Sequence, residues 1–197
     1  AVLCGLGVGL ICGVINGLIL TKCRIPAFIV TLGTSSAFVG VARALTNLEA
    51  VPVTNETFNN IFGSGNLWVI PTLFLWTILI TVIGQYVYTK TTFGRSTLAV
   101  GGNASAARYS GIDVDKIKFW AMVICAVAAS CAGILYTGRM HGARYTYGEN
   151  DSMNIIAAVV IGGTSFSGGK GTVIGTLIGS LVIGMLNNGL LLLGLSV

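Results

Sequence analysis

Charge is scarce in this chain, and the scarcity sets its class. Asp, Glu, Lys and Arg make up 9% of the 197 residues, against about 25% in a soluble globular domain. So little polar surface excludes a protein that lives in water. The lone histidine, His141, excludes a multi-histidine metal site or a histidine relay. No Ser-His-Asp or HExxH arrangement can be assembled from what remains. Three prolines and no suitable repeat exclude collagen-like and disordered chains. The five cysteines (Cys4, Cys12, Cys23, Cys125, Cys131) are odd in number and form no CxxC pair, and four lie in apolar runs. That spacing writes neither a disulfide framework nor a zinc site; they read as small buried hydrophobes. The stretch Thr164–Gly171 resembles a phosphate-binding loop only at a glance. Thr164 stands where the first glycine is required, and Gly171 follows Lys170 in place of Ser or Thr. Glu149 and Asp151 read as caps near a helix start rather than a catalytic pair. The chain is therefore expected to carry no catalytic, cofactor-binding or metal-binding residues of its own.

What is present is apolar. Hydrophobic residues make up 54%, with 28 glycines and a mean hydropathy of +0.87. Long stretches without charge mark six spans of an all-α, polytopic transmembrane bundle: Ala1–Thr21, Ile25–Ala42, Leu67–Thr89, Phe119–Gly138, Ser152–Gly169 and Gly171–Val197. A bilayer core of ~30 Å needs about 20 helical residues. Ser152–Gly169 is the weakest of the six, because its strongly apolar part is only Met153–Ile161. A short helix continued by irregular backbone is tolerated only inside protein or along a wet cavity. The chain begins and ends inside apolar runs, so it reads as a single transmembrane domain, 1–197, cut at both ends.

The net charge of +5 does not point to nucleic acid, because the basic residues sit in short loops between spans. Lys22, Arg24, Lys90, Arg95, Arg108, Lys116, Lys118 and Lys170 fall on one side. Arg43, Arg139 and Arg144, diluted by Glu49, Glu56, Glu149 and Asp151, fall on the other. The positive-inside rule then places the 90–118 loop in the cytoplasm. The count is consistent through all six stretches, which keeps Ser152–Gly169 among the spans. On the opposite side, Asn47–Asn66 is long enough for contact with a partner, or is an exposed turn region with a short interfacial helix.

Two glycine ladders stand out. Gly5, Gly9, Gly13 and Gly17 recur every four residues in the first span, and Gly171, Gly175 and Gly179 do so in the last. Each lines one helix face and opens a groove for close helix packing. The two spans share the phrases Asn16-Gly17-Leu18-Ile19-Leu20 and Asn188-Gly189-Leu190-Leu191-Leu192, and they run in opposite directions on this loop assignment. An inverted repeat would leave such a trace, and these repeats frame transport pathways.

The 90–118 loop spells a short helix. Asn103 is a good N-cap for Ala104–Ser110, and Gly111 suits the position that ends it. Gly101 and Gly102 are expected to loosen the backbone ahead of it. Two turns of helix are marginal alone, so the segment leans on something. It is either a coupling element that takes a push from an ATPase or a structured connection between spans.

The ordered motifs Phe93-Gly-Arg95, Gly101-Gly-Asn103, Ala106-Ala-Arg108 and Ser110-Gly-Ile112 resemble the coupling segment of ribose-type sugar ABC permeases. Asn16-Gly-Leu18, Ile25-Pro-Ala-Phe-Ile29 and Thr31-Leu-Gly33 are similar to the family's earlier motifs. Ile156-Ala-Ala-Val-Val160, Gly162-Gly-Thr-Ser165, Ser167-Gly-Gly169 and Asn187-Asn-Gly-Leu190 are similar to its later ones. The resemblance implies a type II importer permease in a bacterial inner membrane. Its partners would be a second permease subunit (the same or a homologue), a cytoplasmic ATPase that binds ATP and magnesium, and a periplasmic or lipid-anchored sugar-binding protein. Gly101, Gly102, Asn103, Ala107, Arg108 and Gly111 would engage the ATPase. Two positions depart from the pattern. Asn154 stands where the family often has an Asp-containing phrase, and Leu190–Leu193 lacks a second Asn. They leave the sugar open.

An ATPase-independent carrier or channel is the rival reading. Ion-coupled carriers need ionisable groups inside their spans, and these spans hold none except at their edges. A neutral sugar needs hydroxyl and amide groups instead. Candidates for the path are Asn16, Thr31, Thr34, Ser35, Ser36, Asn154, Thr164, Ser165, Asn187 and Asn188. Each of these also suits packing or capping.

Overall fold

Long apolar runs with no charge to solvate become helices, because a helix satisfies its own backbone where water is absent. Among the described residues of the computed structural model, five helices are long and apolar enough to cross a membrane: α1 (Val2–Cys23), α2 (Ala27–Thr46), α4 (Thr72–Lys90), α7 (Val114–Met140) and α9 (Val173–Leu192). Between them lie the shorter α3 (Glu56–Asn59), α5 (Thr92–Gly102), α6 (Ala104–Tyr109) and α8 (Asp151–Ile161). The structure describes residues 2–23, 25–67, 70–149 and 151–194; Arg24 and the span ends Ala1 and Val197 lie outside the described residues.

Three boundaries differ from the sequence expectation. The stretch 152–169 is not one spanning helix: α8 has 11 residues and rises about 16 Å, roughly half a bilayer core. It stops at Gly162–Gly163, where Gly163 turns left-handed (φ 85°). The Gly163 and Thr164 amides then close onto the Val160 and Val159 carbonyls at 2.9 and 3.2 Å. The rest is irregular backbone up to Thr172. In the last span, Thr172 is extended (φ −140°) and the helix begins at Val173. Gly171 therefore lies in the lead-in to α9 and not on its glycine face. Lastly, most of the 90–118 segment is helical, as α5 and α6 plus the start of α7.

The residues gather into two compact units, Ala1–Thr77 with Asp115–Tyr147, and Ile78–Val114 with Gly148–Val197. In the first, α1 lies antiparallel along α7. Gly9, Gly13 and Gly17 are its buried residues. A Cβ added at Gly13 would sit 2.9 Å from the Ala126 methyl, and one at Gly17 would sit 2.7 Å from the Phe119 ring. The segment 51–63 folds onto the end of α7. Strand β1 (Val51–Pro52) pairs antiparallel with β4 (Gly142–Ala143), in register Val51↔Ala143, while β2 (Asn66–Leu67) and β3 (Ile70–Pro71) pair antiparallel with each other. Asn55 caps α3 by accepting from the Phe58 amide at 3.1 Å. The backbone of Gly63 meets that of Gly138 and Arg139 too closely for any side chain. Phe58, Phe62 and Trp76 stack in series at 5.1 and 5.5 Å, and the Trp76 indole donates to the Ile61 carbonyl at 3.0 Å.

In the second unit, the last turns of α8 and the first turns of α9 pack antiparallel. Gly162 meets Gly175, and Gly179 meets Ala158. Small residues face inward (Gly179, Ala107, Ala158), whereas Met153 and Met185 are 78% and 72% exposed. Apolar bulk outside and small residues inside is the inverse of a soluble core, and suits a solvent of lipid tails.

Candidate functional site

The segment between α4 and α7 is built from the residues upward as two helices sharing a corner. Thr91 is extended, and its hydroxyl accepts from the Gly94 amide at 3.2 Å, which starts α5. Gly94 is required there, since a Cβ would run into the Tyr88 carbonyl. Asn103 both ends α5 and starts α6. Its amide donates to the Ala99 carbonyl at 3.1 Å, while its Oδ1 accepts from the Ser105 and Ala106 amides, each at 3.0 Å. α6 closes with the amide of Gly111 on the Arg108 carbonyl (3.1 Å) and that of Ile112 on the Ala107 carbonyl (3.0 Å). Gly111 stands at φ 83°, the left-handed turn that glycine adopts without strain.

Faces follow from this geometry. Ala107 is 4% exposed and faces inward. Arg108 and Tyr109 face outward, Tyr109 at 94% exposure. Tyr109 is absent from the sequence candidates, because its exposure is decided only by the burial of Ala107. The 90–118 segment carries Lys90, Arg95, Arg108, Lys116 and Lys118 against Asp113 and Asp115, so its charge suits an acidic surface.

Gly101 and Gly102 do not loosen the backbone. They form the last turn of α5 and press against Gly168 and Gly169, in the irregular stretch before α9. A Cβ on Gly101 would lie 2.8 Å from the Gly169 nitrogen, and one on Gly169 would lie 2.7 Å from the Gly102 Cα. A Cβ on Gly168 would enter the Gly101 carbonyl. Neither Gly168 nor Gly169 is among the site candidates of the sequence analysis, where they enter only within the motif Ser167-Gly-Gly169.

The path candidates are spread along the chain. In α2, the hydroxyls of Thr31, Thr34, Ser35 and Ser36 donate to carbonyls of their own helix, at 3.1, 2.9, 2.8 and 3.2 Å. In α1, half-buried Asn16 has an Oδ1 with no hydrogen-bond donor. In α8, Asn154 is half-buried; in α9, Asn187 is half-buried and Asn188 exposed. Thr164 and Ser165 border an open groove of about 200 Å³, whose other walls are Ile155, Ile156, Val159, Val160 and Phe166. Those walls are apolar, so within this unit the groove offers a sugar few partners.

Comparison with known proteins decides the class. The family described as the branched-chain amino acid transport system / permease component matches residues 1–196. The chain belongs to this permease family. It is similar to the ribose import permease protein RbsC of Bacillus subtilis strain 168, 44% identical over 92% of this chain and 56% of that protein. It is 41% identical to the Escherichia coli K12 protein of the same name over 100% of this chain and 62% of that protein. The D-allose transport system permease protein AlsC of Escherichia coli K12 is 35% identical over 96% of this chain and 58% of its own length. The chain thus spans between half and two thirds of these relatives. No solved structure matches. The chain is a multi-pass inner-membrane permease component of a transport system.

Proposed function

We propose that this chain is the membrane-spanning part of an ATP-driven ABC importer for a simple sugar, ribose or a close relative. The observation that carries the reading is the run of sugar-permease relatives at 35–44% identity over nearly the whole chain. The capped helix α6 supports it, with Ala107 anchored inward and Arg108 and Tyr109 turned outward. In this reading α5 and α6 lie at the cytoplasmic face, as the basic residues direct. A separate ATPase binds ATP and magnesium, and its closure moves α6. The spans then tilt about a path shared with a second permease subunit, while a binding protein delivers the sugar on the far side. The permease performs no chemistry; it converts a rigid push into alternating access.

The test is reconstitution of the full-length protein with its ATPase and binding protein. Labelled ribose uptake should require ATP hydrolysis. Uptake that proceeds without any ATPase would hand the function to the carrier reading. Arg108→Glu reverses the charge on the outward face of α6. It should lower ATP-driven uptake at least about tenfold, the equivalent of 1.4 kcal/mol in coupling, while membrane insertion and ATPase turnover persist.

A further inference from the structure

Four glycines meet backbone to backbone at the junction of α5 with the loop before α9. At Gly101, Gly168 and Gly169 the contact is closer than a side chain allows. The nearest atoms to a Cβ on Gly101 are the Gly169 nitrogen and Cα at 2.8 and 3.5 Å, and those to one on Gly169 are the Gly102 Cα and nitrogen at 2.7 and 3.1 Å. A second, independent feature is that both sides of the contact are stiff. On one side, α6 cannot swing freely from α5, because the single residue Asn103 hydrogen-bonds into both helices. On the other, the loop is pinned by the Ser165 amide on the Lys170 carbonyl (3.0 Å) and the Gly168 amide on the Ser165 carbonyl (3.1 Å). The Thr172 hydroxyl adds a bond to the Gly162 carbonyl at 2.9 Å, and Gly162 itself abuts Gly175 at the start of the α8–α9 pair.

Resting on the importer reading above, we infer that a displacement of α6 is transmitted into the α8–α9 pair through the contact of Gly101–Gly102 with Gly168–Gly169. The four glycines are positioning residues: they touch no substrate and fix how the push is passed on. Glycine is needed for two reasons. Gly168 and Gly169 take left-handed φ of 85° and 77°, and Gly101, Gly168 and Gly169 give the close approach in which backbone meets backbone with no compressible side chain between. Packed backbone is bistable rather than elastic, so a small shift on one side must appear on the other.

The discriminating variant is Gly101→Ala. Inside a helix, alanine is the more favourable residue, so Gly101→Ala harms only through the lost approach to Gly169. Gly184→Ala, in α9 with open space around it, is the control. In the reconstituted full-length transporter, Gly101→Ala should cut sugar uptake per ATP hydrolysed about tenfold, with hydrolysis near wild type, and Gly184→Ala should change nothing. An unchanged uptake-to-hydrolysis ratio in Gly101→Ala overturns the inference. A second measurement needs no contact variant. Spin labels at Ser105→Cys in α6 and Ile174→Cys in α9, both exposed, on an otherwise cysteine-free chain, should keep one intrachain distance between nucleotide-free and ATP-trapped states. ATP-driven wild-type uptake with a changed distance overturns this inference alone. Wild-type uptake that ignores ATP overturns the importer reading itself.

Discussion

The glycine faces of α1 and α9 look alike in sequence and differ in what fills them. Along α1, the nearest atoms to an added Cβ are side chains of α7 at Gly5 (Ile134), Gly9 (Ser130) and Gly17 (Phe119). At Gly13 the Ala126 methyl and the Val123 Cα are equally near, at 2.9 Å. Along α9, Gly179 instead faces the carbonyl of Ala158 in α8, and Gly175 faces the carbonyl of Gly162 just past α8, with the Thr172 hydroxyl beside it. The first is side chain seated in a groove; the second is backbone on backbone. A four-residue glycine spacing therefore tells that a helix is approached closely, not how closely. The closer pair is also the one into which the irregular loop 162–172 feeds.

That difference predicts unequal tolerance. Gly179→Ala should be the most damaging, because its Cβ would enter the Ala158 carbonyl and stand 2.9 Å from the Gly162 nitrogen. Overpacking of this kind costs about 3 kcal/mol or more when backbone must move, and the loss should appear as a large fall in detergent unfolding midpoint. Gly13→Ala should cost less, about 1–2 kcal/mol, since one of its two nearest atoms is a methyl on a neighbouring helix. Equal losses for the two variants in the same unfolding assay would erase the distinction between the faces.

The sequence made the membrane class, the five long helices and the short α6 legible, because each rests on local chemistry. Charge-free runs become spans, and Asn103 with Gly111 brackets a helix whatever surrounds it. Where the reading erred, the cause was tertiary. Helix α5 runs through Gly94, Gly101 and Gly102, residues that lower helix propensity. Yet Gly94 and Val100 are buried, and the approach of the Gly169 nitrogen demands that Gly101 carry no side chain. Packing overrides propensity there. The end of α8, by contrast, is local: Gly163 takes the left-handed turn that closes the helix, just past the apolar run Met153–Ile161. Tyr109 was visible as a residue but not as an exposed one, since its face is fixed only once Ala107 turns inward.

The mildest perturbation sharpens the comparison furthest. At Gly5 the nearest atoms to a Cβ are the Ile134 Cδ1 and Cγ1, at 3.3 and 3.4 Å, the far part of a flexible side chain. Moving that side chain off its rotamer costs about 0.5–1.5 kcal/mol, while alanine in place of glycine favours the helix by about 1 kcal/mol. The two effects nearly cancel, so Gly5→Ala should shift the unfolding midpoint only slightly in either direction. Adding Ile134→Val removes the Cδ1 methyl and should leave the double variant better off than the sum of the two single changes. A positive coupling between them in a double-mutant cycle identifies a side-chain contact. The same cycle on Gly179→Ala, with any side-chain reduction on α8, should show none, because a carbonyl cannot be trimmed.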